Sequence, residues 1–211
     1  MHAGLLPGAN LLDFLLSSSL EKPAMKLSAP RIHPLPESEW NETTRKVLSD
    51  VRIGNGEVPN IFRTLANHPD LMKRWLVFGN HVLFKSTLPA RERELVILRI
   101  GFLCEAEYEW AQHVRIGRDA GLTNDEIHRI KVGHTARGWS ESDTLLLRAT
   151  DELHKDACIT DATWQGLTRH FSTQQLMDLV FAIGQYNLVS MVLNTLGVQL
   201  DADLDGSFAN T

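Results

Sequence analysis

This chain of 211 residues has few cysteines and no excess of positive charge, and each absence excludes a class of protein. Only two cysteines occur, Cys104 and Cys158, which are too few for the disulfide framework of a small secreted domain. We therefore expect a reducing, cytoplasmic setting. The net charge of -5 gives no sign of binding to nucleic acid or to an anionic membrane.

The sequence also lacks a long apolar run and a sustained strand pattern. No stretch of about 18 or more residues is apolar throughout, so no membrane span is expected. Alternation of apolar and polar residues never persists, whereas apolar residues recur at steps of three and four in most segments. The predicted fold class is therefore all-α.

One helical domain is predicted between two less ordered ends. Residues 1–30 hold a short apolar stretch without a preceding Lys or Arg, so a flexible extension is expected rather than a signal peptide. Residues 31–200 carry the helical pattern, and residues 201–211 are polar and acidic and are expected to fray. A hydrophobic content of 43% is ordinary for a globular domain.

The most apolar helix is predicted after Pro89. Residues 95–103 are apolar nearly all the way round, which is typical of a buried helix. Glu94 stands one residue before this run, and a carboxylate that enters a core must be paired, hydrogen-bonded or protonated. The alternative for Glu94 is an exposed acid in a charged first turn, where the helix dipole favours it.

The next predicted helix carries Glu109 and His113 four residues apart, so their side chains share one face. A carboxylate beside an imidazole fixes its tautomer and raises its basicity, as a general base requires. Tyr108 and Trp110 are candidate pocket residues next to His113, although Trp110 is equally suited to core packing. The simpler alternative for a single histidine is a structural role.

Two blocks of sequence, RERELVILR from Arg91 and EYEWAQHVRIGRDAGLT from Glu107, carry a family resemblance. The chain resembles the carboxymuconolactone decarboxylase family, which also contains the alkylhydroperoxidase D-like proteins. The resemblance implies a compact multi-helix fold built on a buried helical hairpin and assembled into trimers or hexamers. It also implies that His113 matches a histidine shared by the lactone-decarboxylase and peroxidase branches of the family. Glu94 matches a glutamate of the peroxidase branch.

The redox cysteines of the peroxidase branch are missing from this sequence. Their two positions hold Ala106 and Glu109, so neither the thiolate that is oxidised nor the thiol that resolves it is present. Cys104 lies about 200° round a helix from the first of these positions and is expected to pack in the core. We expect no disulfide-cycling hydroperoxidase activity, while Glu109 resembles a glutamate of the lactone-decarboxylase branch.

The first hypothesis is an acid–base enzyme, of the carboxymuconolactone decarboxylase-like lyase type, acting on a small carboxylic acid or lactone. His113 would transfer the proton, Glu109 would orient the imidazole of His113, and Glu94 would line the pocket with Tyr108. Arg99 and Arg115 are candidates for binding a carboxylate, or for pairing with neighbours. We expect no cofactor and no metal, because a Glu-x-x-x-His pair is common on helices.

Two alternatives stay open at this point. One is a peroxidase-like or peroxiredoxin-type antioxidant protein that uses Cys104 or the thiol of a partner. The other is a non-catalytic helical oligomer that binds a small ligand. The expected partners are a small-molecule substrate and further copies of the chain, with no nucleic acid and no membrane.

Overall fold

The structure is a computed structural model that describes residues 26–49, 51 and 56–204. Within these residues there is no strand, and the all-α prediction is confirmed. Nine α-helices follow one another in the described ranges: α1 (Glu42–Leu48), α2 (Asn60–Leu65), α3 (Pro69–Asn80), α4 (Ala90–Leu103), α5 (Glu107–Asp119), α6 (Asn124–Val132), α7 (Glu141–Asp156), α8 (Asp161–Leu167) and α9 (Thr173–Leu196). A 3-10 turn (Glu37–Glu39) precedes α1, and a π-helical turn (His81–Lys85) extends α3.

Helix α4 forms the centre of the protein. Every side chain from Leu95 to Ile100 is buried, and the helix packs against α5, α6, α7 and α9. The apolar run after Pro89 is therefore the core helix that the sequence predicts. Pro89 itself is the residue before the helix, with Ala90 as the first helical residue.

A three-residue bend joins α4 to α5 and makes them a hairpin. The backbone N–H of Ala106 donates to the carbonyl of Gly101, and that of Glu105 donates to the carbonyl of Phe102. These two bonds define a Schellman motif, which satisfies carbonyls that the end of a helix leaves unpaired. Glu105 takes the left-handed position of this motif with φ of 53°, a conformation that usually favours glycine.

Arg91 fixes the first turn of α4 to two other helices. Its guanidinium pairs with Glu126 of α6 and with Asp143 of α7, the latter at 2.9 Å. The hydrogen bonds that Arg91 donates to these carboxylates, partly offset by burial, raise the pKa of Arg91 well above its ordinary value. Because both partners lie outside α4, the network restrains the rotation of the helix about its own axis.

Arg99 fixes the middle of α4 in the same way. Its Nε donates to Asp151 of α7 at 2.6 Å, and its Nη1 donates to the backbone carbonyls of Ile130 and Lys131 at the end of α6. The second carboxylate oxygen of Asp151 lies 2.6 Å from His134 Nδ1. Arg99 is thus a structural cation, and its position does not support the expectation that it binds a substrate carboxylate.

Local sequence determines the end of α5 and the start of α6. Gly121, two residues after the last residue of α5, has φ of 100°, which is typical of the glycine that ends a helix. Thr123 and Glu126 form a capping box, in which each side chain accepts a hydrogen bond from the backbone N–H of the other residue. These signals hold because they depend only on neighbouring residues.

The two ends of the chain were predicted to be flexible, and most of each lies outside the described residues. Residues 1–25 and 205–211 belong to this group, so the extension and the tail stay predictions. The first residue of the predicted tail is nevertheless held in place. Asp201 accepts a hydrogen bond from the backbone N–H of Asn60 at 2.7 Å.

Helix α9 is the longest described helix and the most apolar over its length. Its residues Thr173–Leu196 are long and apolar enough to cross a membrane, with a mean hydropathy of 1.5 over 18 residues. No membrane span was expected from the sequence, because this helix is not apolar throughout. Half of that window is buried inside the protein, and a core helix passes the same test, so the feature is weak support for a span.

Candidate active site

His113 lies between two carboxylates at the point where α4 and α5 cross. Its Nδ1 is 2.6 Å from Glu94 Oε2, and its Nε2 is 2.9 Å from Glu109 Oε1. Glu94 comes from α4, whereas Glu109 lies one turn before His113 on α5. The hairpin therefore brings together the three residues that the sequence singles out, and all three are buried.

The two carboxylates determine the charge of His113. Burial alone would lower the pKa of the imidazole, but the negative charges of Glu109 and Glu94 outweigh that effect and raise it to about 10. His113 is therefore an imidazolium at neutral pH, with a carboxylate oxygen within 2.9 Å of each nitrogen. In this state the ring is a cation and a proton donor, so it cannot be the resting base.

The contact of Glu109 with His113 differs from that of Glu94. Glu94 Oε2 and His113 Nδ1 form a hydrogen bond, whereas Glu109 Oε1 lies within ion-pair distance of Nε2 but has no partner of hydrogen-bond geometry among the described residues. A buried carboxylate oxygen without a hydrogen bond is costly. Glu109 Oε1 therefore keeps a lone pair for a proton from another source.

Arg93 completes the charge balance of the cluster. Its Nε donates to Glu94 Oε1 at 3.3 Å, and only 12% of its side chain is exposed. Glu94 is thus held between Arg93 and His113. With the imidazole protonated, two cations face two carboxylates, so the cluster of Arg93, Glu94, Glu109 and His113 is neutral.

A cavity of about 390 Å³ opens onto Glu109 and His113. Its walls come mainly from α2, α3, α5 and α9, and most of its surface is apolar. Trp75, Phe62 and Leu76 form part of the apolar wall, while Gln185 and Tyr186 of α9 add polar groups. A cavity of this size accommodates a small organic molecule, since about 150 Å³ is enough for benzene.

Tyr186 packs edge-on against His113, with ring centroids 4.8 Å apart. Burial raises the pKa of Tyr186 well above its ordinary value, and the charges of Glu109 and Glu94 raise it further. The phenol therefore keeps its proton at neutral pH. The structure places Tyr186 on the cavity wall.

Tyr108 lines the cavity, as predicted, but its hydroxyl group is hydrogen-bonded to other parts of the protein. It donates to Asp201 Oδ2 at 2.7 Å and accepts from the backbone N–H of Ile61 at 3.3 Å. Burial and the charge of Asp201 raise the pKa of Tyr108 well above its ordinary value. Gln112 Nε2 also donates to Asp201, at 2.8 Å, so the carboxylate joins α5 to the chain after α9.

Two predicted site residues take other positions. Glu94 lies behind His113 and is not part of the cavity wall, so it acts on the pocket only through the imidazole. Trp110, a candidate pocket residue, is also absent from the wall and packs in the core against Phe102, with ring centroids 5.8 Å apart. Since a helix turns by about 100° per residue, Trp110 cannot share the face of Tyr108 and Gln112.

Cys104 is separate from this cavity. It is half-buried at the end of α4, packs against the core in part, and its Sγ lies 3.0 Å from Asn187 Oδ1 and 3.9 Å from His154 Nδ1. The other cysteine, Cys158, is exposed. No group of three or more His, Cys, Asp or Glu residues with the geometry to hold a metal occurs in the part of the chain that the structure describes.

Solved structures with the same fold include two peroxidase-related proteins and a debrominase. A peroxidase-related protein from Ralstonia eutropha, described as an alkylhydroperoxidase AhpD core, is 21% identical, with a TM-score of 0.71 over 82% of this chain and 93% of that chain. A peroxidase-related protein from Silicibacter sp. is 18% identical, with a TM-score of 0.69 over 91% of this chain and 100% of that chain. Debrominase Bmp8, solved with 2,3,4-tribromopyrrole, is 14% identical, with a TM-score of 0.65 over 83% of this chain and 94% of that chain.

Identities this low show the fold, which is the alkylhydroperoxidase D-like fold expected from the sequence. No curated protein matches the chain. A family model does match, and the matched residues, 69–152, contain Glu94, Glu109 and His113. The model is that of the carboxymuconolactone decarboxylase family, which the two sequence blocks resemble.

Proposed function

We propose that this protein is an acid–base enzyme that moves a proton on a small lactone-type substrate held in the cavity. The observation that carries the proposal is the contact of Glu109 with His113 on the cavity wall, where an unsatisfied carboxylate oxygen lies beside an imidazolium. A base and a fixed positive charge at one site are what proton abstraction next to a carbonyl requires.

In this mechanism Glu109 is the base and His113 provides the charge, which reverses the roles expected from the sequence. Glu109 Oε1 takes a proton from the carbon between the carbonyl and the C=C bond of a β,γ-unsaturated lactone, and the electrons of the C–H bond delocalise over both groups as a dienolate. The imidazolium of His113 stabilises this anion. The neutral carboxyl of Glu109 then returns the proton to the γ carbon of the dienolate, so the product is the conjugated isomer of the substrate.

The charges around the cavity favour a lactone over a free carboxylic acid. Among the described residues of the wall, the cations are His113 and Arg115. His113 is paired with Glu94 and Glu109, and Arg115 bonds Asp203 and Gln112 at the rim. A substrate carboxylate would meet no unpaired cation, so isomerisation of an uncharged substrate fits better than decarboxylation of a charged one.

The test is exchange of substrate protons with solvent. The protein is incubated with α-angelica lactone in D2O, and NMR follows deuterium entry and conversion to the conjugated isomer. Glu109→Gln should lower the rate by about 10²-fold or more, because a general base typically contributes 10²–10⁴-fold. Asp119→Asn, an exposed carboxylate on the same helix, is the matched control and should leave the rate unchanged.

The result that contradicts the proposal is a rate in Glu109→Gln equal to that of the unmodified protein. Absence of exchange in the unmodified protein with a panel of unsaturated five- and six-membered lactones would contradict it equally. Debrominase Bmp8 shows that the same fold accommodates a small ring, since its structure holds 2,3,4-tribromopyrrole.

A thiol-based antioxidant activity is the second candidate, and the position of Cys104 is the observation behind it. The Sγ atom lies 3.9 Å from an imidazole nitrogen of His154, a neighbour that can accept the thiol proton. If this candidate is right, Cys104→Ser abolishes peroxide consumption whereas Glu109→Gln does not. The proton-transfer proposal predicts that Cys104→Ser leaves lactone isomerisation unchanged.

A further inference from the structure

The side chain of Gln185 is buried in the cavity wall with an unpaired polar atom. Gln185 lies on α9, in a long apolar helix, and only 4% of the residue is exposed. Its Oε1 has no hydrogen-bond partner among the described residues. The amide nitrogen borders Gly79 of α3, since a Cβ placed on that glycine would lie 3.8 Å from Nε2.

An unpaired carboxamide in a core is destabilising. Burial removes the water that would satisfy the group, and the protein supplies no replacement for Oε1. An apolar side chain of the same size would pack in this position without that penalty. Because Gln185 faces a cavity and not a closed core, a bound molecule can supply the missing partner.

A carboxamide presents a donor and an acceptor side by side, and a half-turn of its terminal torsion exchanges them. The molecule that satisfies both must carry an acceptor and a donor on adjacent atoms. The rest of the cavity restricts the molecule further. Its apolar walls favour a ring, its volume of about 390 Å³ admits one or two fused rings, and its paired cations favour an uncharged compound.

We propose that Gln185 selects the substrate by pairing with a cis-amide edge, the adjacent N–H and C=O of a cyclic amide, or with the equivalent O–H and C=O of a hydroxy-lactone. This inference rests on the proposed function, because it names the substrate class of the same cavity. It assigns Gln185 to recognition, while Glu109 and His113 carry the chemistry. The carbonyl that Gln185 binds is the one that makes the neighbouring C–H acidic.

Two ring compounds of equal size separate this role from general apolar binding. In 2-quinolone the edge carries N–H and C=O, whereas in coumarin a ring oxygen replaces the N–H. Isothermal titration calorimetry of the full chain should show 2-quinolone binding about tenfold more tightly or better, because coumarin leaves Oε1 unpaired. Equal affinities, or no binding of 2-quinolone, would overturn the proposal.

Gln185→Leu should reduce that preference to less than about twofold and should raise the midpoint of thermal unfolding, because the unpaired amide is gone. Gln185→Met is a second apolar variant of similar length, in case the branched side chain disturbs packing. Gln112→Leu is the matched control, since the amide of Gln112 also lines the cavity but already bonds Asp201. A preference that survives in both Gln185 variants would refute the assignment.

The catalytic proposal and the recognition proposal can be rejected independently of each other. Glu109→Gln should keep the preference for 2-quinolone while it loses proton exchange. If the unmodified protein shows the preference but exchanges no lactone protons, only the catalytic proposal falls. If it exchanges lactone protons without preferring 2-quinolone, only the role of Gln185 falls.

Discussion

His113 Nδ1 lies 2.6 Å from an oxygen of Glu94, a carboxylate with no exposed surface. This contact joins the core helix α4 to the wall of the cavity. It makes Glu94 a positioning residue: it does not touch the cavity, but it fixes the direction and the charge of the ring that does. Four predictions follow from this contact and from others in the fold.

The first prediction concerns pH and stability. The pKa of His113 is raised in the folded protein from 6.5 to about 10, so the folded state holds a proton that the unfolded state releases. The stabilisation by this proton is complete below about pH 6.5 and is lost as pH rises towards 10. The free energy of unfolding, measured with urea at several pH values, should therefore fall across this window.

His113→Gln removes the titrating group, so the same series should show a shallower fall in that variant. Glu94→Gln should lower the pKa of His113, which can be followed by NMR of the imidazole. An equal pH dependence in His113→Gln and in the unmodified protein would show that His113 holds no extra proton in the folded state.

The second prediction concerns the carboxylate that ties the chain after α9 to α5. Asp201 accepts from the backbone of Asn60, from the hydroxyl of Tyr108 and from the amide of Gln112. Asp201→Ala leaves these donors without their acceptor, and we expect a loss of about 1–3 kcal/mol in the free energy of unfolding. Chemical denaturation measures it.

Asp203→Ala is the control for that variant. Asp203 pairs with Arg115 at 3.3 Å, but both side chains are 40% exposed or more, and such surface pairs contribute little. The unfolding free energy of Asp203→Ala should stay within about 0.5 kcal/mol of the unmodified protein. Similar losses in the two variants would mean that the Asp201 network is not specific.

The third prediction compares two glycines with positive φ. Gly133 and Gly121 have φ of 87° and 100°, so alanine is strained at both positions, and more so at Gly133, whose ψ of -155° lies in a region that is essentially restricted to glycine. A Cβ on Gly133 would lie 2.4 Å from Arg99 Nη2, whereas a Cβ on Gly121 meets nothing within 4 Å. Arg99 cannot move away without losing its bonds to Asp151 and to the carbonyls at the end of α6.

We therefore expect Gly121→Ala to cost about 1 kcal/mol through strain alone and Gly133→Ala to cost about 1–3 kcal/mol more. Thermal or chemical unfolding of both variants measures the difference. Equal losses would show that the end of α6 shifts freely and that Arg99 does not hold it.

The fourth prediction concerns the homo-oligomer that the family resemblance implies, which we propose assembles through an exposed apolar patch. Phe78 of α3 and Phe181 of α9 meet edge-on with ring centroids 5.9 Å apart, although Phe181 is 54% exposed. Val77 and Phe84 nearby on the chain are more than 70% exposed. A patch of this kind is typical of a surface that another protein covers.

Light scattering after size-exclusion chromatography should show a trimer or hexamer for the unmodified chain and a smaller species for Phe181→Glu. Val132→Glu, an exposed apolar residue at the end of α6, is the control and should leave the mass unchanged. A monomer in the unmodified protein would reject the proposed assembly.

The features predicted from the sequence are those that depend on neighbours in the chain. The apolar run of α4 and the shared face of Glu109 and His113 both follow from local spacing. The contact of Glu94 with His113 depends on how α4 and α5 cross. The family resemblance suggested both residues, but periodicity could not bring them together.

The functional residues that were not predicted lie in segments where the spacing of apolar residues does not show which way a side chain points. Helix α9 is apolar on every side, so its pattern does not show that Gln185 faces a cavity. Asp201 stands in polar sequence that predicts a frayed tail, yet it binds three donors from other segments. Trp110, predicted as a pocket residue, packs in the core against Phe102 and not in the cavity wall, because adjacent helix positions point in different directions.

The bend between α4 and α5 has a fixed length. Its residues Cys104, Glu105 and Ala106 are bonded to the last turn of α4, and His113 follows at a fixed number of steps along α5. One inserted residue would turn α5 by about 100° and swing the imidazole away from Glu94. The loop sets the rotation of α5 about its own axis relative to α4. The site therefore tolerates a substitution in the loop far better than an insertion or a deletion.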